Sequence, residues 1–90
     1  MKKIYKYALP LDGKSIQVSD YIIEWLKVDM QNGWPYAWAV VDTEREGMMT
    51  EIVAWGTGWI LPNDVYYNTE YLGTATDGAG YVWHYFAKTY

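Results

Sequence analysis

Apolar and polar residues alternate at every second position over much of this chain, and that period of two is the signature of half-buried β-strands. Trp25–Gln31 sets Leu26, Val28 and Met30 on one side and Lys27 and Asp29 on the other. Tyr36–Asp42 sets Tyr36, Trp38 and Val40 against Ala37, Ala39 and Val41. Four more β-rich runs are predicted at Lys3–Leu9, Thr50–Gly56, Tyr71–Thr76 and Tyr81–Ala87. The dipeptides Asp12-Gly13, Asn32-Gly33 and Asp77-Gly78 separate these runs; such pairs tolerate the positive φ of tight hairpins. Ser19–Lys27 departs from the pattern, because Ile22, Ile23 and Leu26 share a helical face behind the capping residues Ser19 and Asp20. It is predicted as a single helical turn at Ser19–Ile22 that enters a strand by Trp25. Trp59–Asn68 contains Pro62-Asn63-Asp64 and no clean period, so it reads as a loop.

The pattern predicts one all-β domain over residues 1–90: a small antiparallel sandwich or partly closed barrel of five to six strands, with one short helical turn. Flat two-sided sheets expose their edges, which favours closure, a second sheet or a dimer. Alternation alone leaves open which face of each strand is inside.

Composition changes this picture in one respect. Seventeen of 90 residues are aromatic, namely six Trp, ten Tyr and one Phe. Each such side chain carries roughly 150–250 Å² of buriable surface, and a small chain has little interior to hide it in. Some rings are therefore expected in a ligand groove, a partner interface or a homo-oligomer contact. The net charge of −4 disfavours non-specific nucleic-acid binding. No cysteine is present, so no disulfide framework or thiolate metal site is expected, which fits a reducing cytoplasm. Met1–Lys6 is basic but no continuous apolar run follows, and no window is long enough for a transmembrane helix. Neither a signal peptide nor a membrane partner is expected.

Gly56-Thr57-Gly58 is the foremost polar candidate. Glycines let backbone N–H groups converge on an anion and Thr57 adds a hydroxyl, while Trp55 and Trp59 on either side offer rings for stacking. A bulge or a turn at a strand end accounts for the same residues. His84, the only histidine, shares a strand face with Val82 and Phe86 and is a candidate hydrogen-bonding or acid–base group. Trp38 is a candidate stacking platform, and Arg45, the only arginine, a candidate phosphate fork. The run Asp42-x-Glu44-x-Glu46 invites a cation, but its spacing lacks the closing carboxylate of a calcium loop and Arg45 lies inside it. No nucleophile with a neighbouring base is evident, and no metal or cofactor is expected.

Five blocks occur in order: Ile4-Tyr5-Lys6-Tyr7, Gln31-Asn32-Gly33-x-Pro35-x-x-Trp38-Ala39-x-Val41-Asp42, Gly56-Thr57-Gly58, Tyr71-Leu72-Gly73-Thr74 and Val82-Trp83-His84-Tyr85-Phe86. In these blocks the chain resembles a family of small phage and prophage proteins described only as a domain of unknown function. It departs after Gly58, where relatives often carry His and this chain has Trp59, and in a longer loop around Tyr66–Asn68. The resemblance implies a compact β fold, a phage or prophage source and no assigned catalytic residue. The expected function is a non-enzymatic phage accessory protein in the host cytoplasm. It would bind and sequester a small, nucleotide-like ligand such as a host-defence signal, through Trp38, Arg45, Trp55, Gly56, Thr57, Gly58, Trp59 and His84. The alternative is an inhibitor of a host protein acting through the acidic loop Asp42–Glu46 and exposed aromatics. A small hydrolase using His84 is the third option.

Overall fold

The computed structural model describes residues 1–90 as seven strands and one short helix in two antiparallel sheets. The elements are β1 (Lys2–Ala8), β2 (Ser15–Val18), β3 (Tyr21–Gln31), β4 (Trp34–Asp42), β5 (Thr50–Gly56), α1 (Asn63–Asn68), β6 (Glu70–Thr76) and β7 (Val82–Thr89). One sheet has the order β1-β4-β3 and the other β2-β5-β7-β6. The sheets face each other as a sandwich and do not close into a barrel.

The turn chemistry explains part of the route. Asn32 and Gly33 adopt φ of 53° and 80° and close the β3–β4 hairpin, with Gln31 opposite Trp34. Asp12 and Gly13 also have positive φ, and the Lys14 N–H donates to the Leu11 carbonyl at 3.0 Å. That turn makes no hairpin, because it carries the chain from β1 in one sheet to β2 in the other. In the β6–β7 connection the positive φ falls on Gly80 and not on Gly78. There the Asp77 carboxylate organises the turn, accepting from the Ala79 and Tyr81 N–H groups at 2.9 and 3.0 Å and from Trp83 Nε1 at 2.8 Å.

Three sequence expectations are corrected. Ser19–Ile22 is no helical turn: β3 begins at Tyr21 and carries irregularities between Ile22 and Glu24 and between Trp25 and Lys27. These bulges insert extra residues, so Ile22, Trp25 and Val28 reach the core at spacings of three, which mimics a helix, while Leu26 is exposed. The helix lies instead in the expected loop, at Asn63–Asn68, where the Tyr66 N–H donates to the Pro62 carbonyl and the Thr69 hydroxyl to the Val65 carbonyl. The strands number seven, because the four-residue β2, pairing Ser15 with Val53 and Val18 with Thr50, adds one.

The facing sheets bury opposite kinds of side chain. In β4 the small residues point inward: Ala37, Ala39 and Val41 are buried, and Tyr36 and Trp38 look outward. Tyr7 and Trp25 on the flanking strands pair with Ala37 and Ala39 and meet edge to face at 5.9 Å. The alanines leave the room those rings occupy. In β7 the large residues point inward, with Trp83 and Tyr85 in the core and Val82, His84 and Phe86 outside. The Tyr85 hydroxyl, wholly enclosed, donates to the Pro10 carbonyl at 2.9 Å. Burial pushes its phenol well above the usual tyrosine range. A ring of this size contributes about 2 kcal/mol by burial.

Candidate functional site: an aromatic cleft on the four-stranded sheet

The centre of the larger sheet is the β5–β7 ladder, and its outer face carries alternate residues of both strands. Across it Glu51 pairs with Lys88, Val53 with Phe86 and Trp55 with His84. Past β5 the chain turns at Gly56-Thr57-Gly58, with the Thr57 N–H donating to the Val82 carbonyl at 3.3 Å and the Trp59 N–H to the Gly56 carbonyl at 3.1 Å. It then returns over the sheet through Leu61 and α1. The space enclosed is a cleft of about 460 Å³. Trp55 and Trp59 form walls, and His84, Phe86, Tyr71 and Thr74 line the sheet side.

Two glycines shape this cleft. A β-carbon at Gly56 would lie 2.6 Å from Cε2 of Trp59, so the indole rests directly on the glycine backbone. The same indole meets Trp83 edge-on at 5.3 Å. In β6 the register shifts between Tyr71 and Gly73, leaving Leu72 as the extra residue of a bulge. Tyr71 pairs with Phe86 and Thr74 with His84, so these two residues, three apart, emerge on the same outer face.

The bulge completes a hydrogen-bonded row. Thr57 Oγ1 lies 2.6 Å from His84 Nε2, His84 Nδ1 lies 3.0 Å from Thr74 Oγ1, and Thr74 Oγ1 lies 2.5 Å from the Tyr71 hydroxyl. Each hydroxyl both donates and accepts, so the row adapts to either imidazole tautomer. A Thr57–His84 pair has the geometry of a nucleophile and its base. However, a hydroxyl and not a carboxylate faces Nδ1, so an imidazolium formed there would have no counter-charge on its far side.

Six of the eight candidate residues meet in this cleft: Trp55, Gly56, Thr57, Gly58, Trp59 and His84. Trp38 and Arg45 do not. Trp38 lies on the outer face of the other sheet with the Lys27 ammonium 5.0 Å from its ring, and the Arg45 guanidinium stacks over Tyr21 at 4.3 Å. No lysine or arginine lines the cleft. Because the Thr57 and Trp59 N–H groups are bonded to carbonyls, the Gly-Thr-Gly turn also lacks the converging free donors of an anion nest. The site therefore offers rings and uncharged hydrogen-bonding groups. Tyr71 and Thr74 escaped the sequence reading, although a glycine inside a strand, here Gly73, is the usual mark of a bulge.

Asp42 Oδ1 accepts from the Glu44 N–H at 3.0 Å, so the acidic run closes on itself as a loop. No group of three or more His, Asp or Glu side chains converges in the molecule. No helix is long and apolar enough to cross a membrane. The family described as Domain of unknown function (DUF7352) matches residues 1–90, and the chain belongs to it. No curated protein and no solved structure matches the chain.

Proposed function

We propose that this family member is a non-enzymatic binding protein that sequesters a small ring-bearing ligand, nucleoside- or nucleotide-like, in the cleft between Trp55 and Trp59. The observation that carries this reading is the convergence of Thr57, His84, Thr74 and Tyr71 from three separate segments into one hydrogen-bonded row, walled by indoles. None of these four is buried in the core. A planar ring stacked on an indole, with its hydroxyls or ring nitrogens on the row, uses every one of these groups. Concave sites with an apolar lining and a few convergent polar groups are the usual form of small-ligand sites. The uncharged lining favours a nucleoside-like head over a phosphate.

In this reading the protein acts in the cytoplasm of a phage-infected or lysogenic host, as an accessory that withdraws a signal molecule, and its remaining exposed rings support a homo-oligomer. Native mass spectrometry with a panel of nucleosides and nucleotides should give one discrete adduct per subunit. The same spectra of a folded Trp55→Ala/Thr57→Val protein should show none; an undiminished adduct in that variant would sink the assignment of the cleft. A second reading, inhibition of a host protein, draws on Ile60, Tyr67 and Tyr81, which are 88%, 75% and 66% exposed. It requires Glu44→Lys/Glu46→Lys to release a near-stoichiometric partner in a pull-down from host lysate.

A further inference from the structure

Two smaller cavities adjoin the cleft. One, of about 210 Å³, lies between Glu51, Val53 and Lys88 on the sheet and Asp64 and Val65 on α1, and shares Trp55 and Phe86 with the cleft. The other, of about 270 Å³, lies beyond Trp59 against Tyr81 and Val82, and shares Gly56, Thr57 and Trp59 with it. The outer face of β7 sets the three in file: Lys88 lines the first cavity, Phe86 both it and the cleft, His84 the cleft and Val82 the third. Aromatic side chains stand at both boundaries. The β5 backbone from Glu51 to Thr57 climbs about 20 Å, so the file is longer than any single ring.

Charge narrows the occupant. Lys88 is the one lysine or arginine along the file, and it stands among the carboxylates of Glu51 and Asp64. A nucleic-acid strand requires a cationic track beside its stacking rings, and this file has none. What it has are aromatic faces and groups that accept or exchange hydrogen bonds: the Thr57, Thr74 and Tyr71 hydroxyls, His84, Glu51 and Asp64. These complement rings whose C–H faces are apolar and whose hydroxyls each donate and accept.

We propose that the three cavities bind a neutral oligosaccharide, one sugar ring in each, with the middle ring on the Thr57–His84–Thr74 row. This rests on the ring-binding cleft of the reading above and departs from it in the ligand, a chain of sugar rings in place of a nucleoside-like head. The test is retention and titration on a panel of neutral glycans of one to four units (glucan, N-acetylglucosamine, mannan and galactan series), beside their sulfated counterparts and free nucleosides. Affinity should rise about tenfold per added ring up to three and then level off, with no gain from sulfation. Tyr81→Ala changes an exposed ring at one end and should remove the gain from the third ring. Glu51→Gln should weaken the trisaccharide through the other end. Affinity that is flat from one to four units, or binding of sulfated glycans alone, overturns the proposal. Nucleosides bound with no neutral glycan retained overturn it and leave the ring-binding reading standing; no ring-bearing compound retained overturns both.

Discussion

Gly73→Ala puts a single methyl group between the two sheets at the bulge that builds the site. The added carbon would lie 2.7 Å from Cβ and 2.9 Å from Cγ2 of Val28 in the facing sheet, whereas carbon atoms rest at about 3.5–4.0 Å. Relieving this requires the sheets to part or the bulge to shift. Overpacking of this kind costs about 1–3 kcal/mol. The backbone at φ 155° lies where side chains are disfavoured, for roughly another 1–3 kcal/mol. A total near 3 kcal/mol lowers the melting temperature of a domain this size by about 12–24 °C. Thermal melts and urea unfolding followed by tryptophan fluorescence would measure it, with the urea slope unchanged. Adding Val28→Ala should not restore stability, because the β-carbon at 2.7 Å remains. Since Tyr71 and Thr74 flank this bulge, the His84 ring resonances should move as well. A Gly73→Ala protein that melts within about 3 °C of the parent would refute the argument from close sheet approach.

Gly56→Ala places a carbon 2.6 Å from the Trp59 indole, so Trp59 should swing out, its emission shift to the red and ligand affinity fall while the fold persists. Tyr85→Phe removes the donor to the buried Pro10 carbonyl; urea unfolding should show a loss of about 1–3 kcal/mol, and no loss would mean that this carbonyl finds another partner. The Trp83 indole N–H, followed by the turn's backbone N–H groups, holds the Asp77 carboxyl below its ordinary value of 3.8. Its stabilising effect is therefore full above that value and is lost as pH falls through the lower folded value. Asp77→Asn should flatten the fall in stability between about pH 5 and pH 2, and an acid limb parallel to the parent's would contradict that role.

The strands were legible wherever alternation was uninterrupted, as in β4 and β7, and so was the grouping of His84 with Val82 and Phe86. Which side faced inward was not, because it depends on the neighbouring strands: Ala37 and Ala39 share the inner face with Tyr7 and Trp25, whose rings fill the space the alanines leave. Bulges disguised β3, since inserted residues turn a period of two into spacings of three. The four residues of β2 are too few to show a period at all. Within the site, the turn Gly56-Thr57-Gly58 and its flanking tryptophans could be read locally. The pairing of Trp55 with His84, which unites turn and histidine, is a cross-strand fact. Residue type alone singles out Arg45 and Trp38 without giving either a position, and the fold places both elsewhere.

The route of the chain between sheets also bears on how it assembles. Only β3–β4 and β6–β7 join strands that are neighbours in sequence; Tyr5 waits for Ala39, Ile16 for Ile52 and Ile52 for Ala87. Distant pairings of this kind make folding slow, because long loops must close before their contacts stabilise anything. At synthesis rates of about 5–20 residues per second, β1 spends roughly 2–7 s before its partner strand is made. During that interval Lys2, Lys3 and Lys6 keep an otherwise apolar strand charged, and lysines on an unpaired strand discourage its pairing with another chain. The basic start of the chain thus guards its own biogenesis.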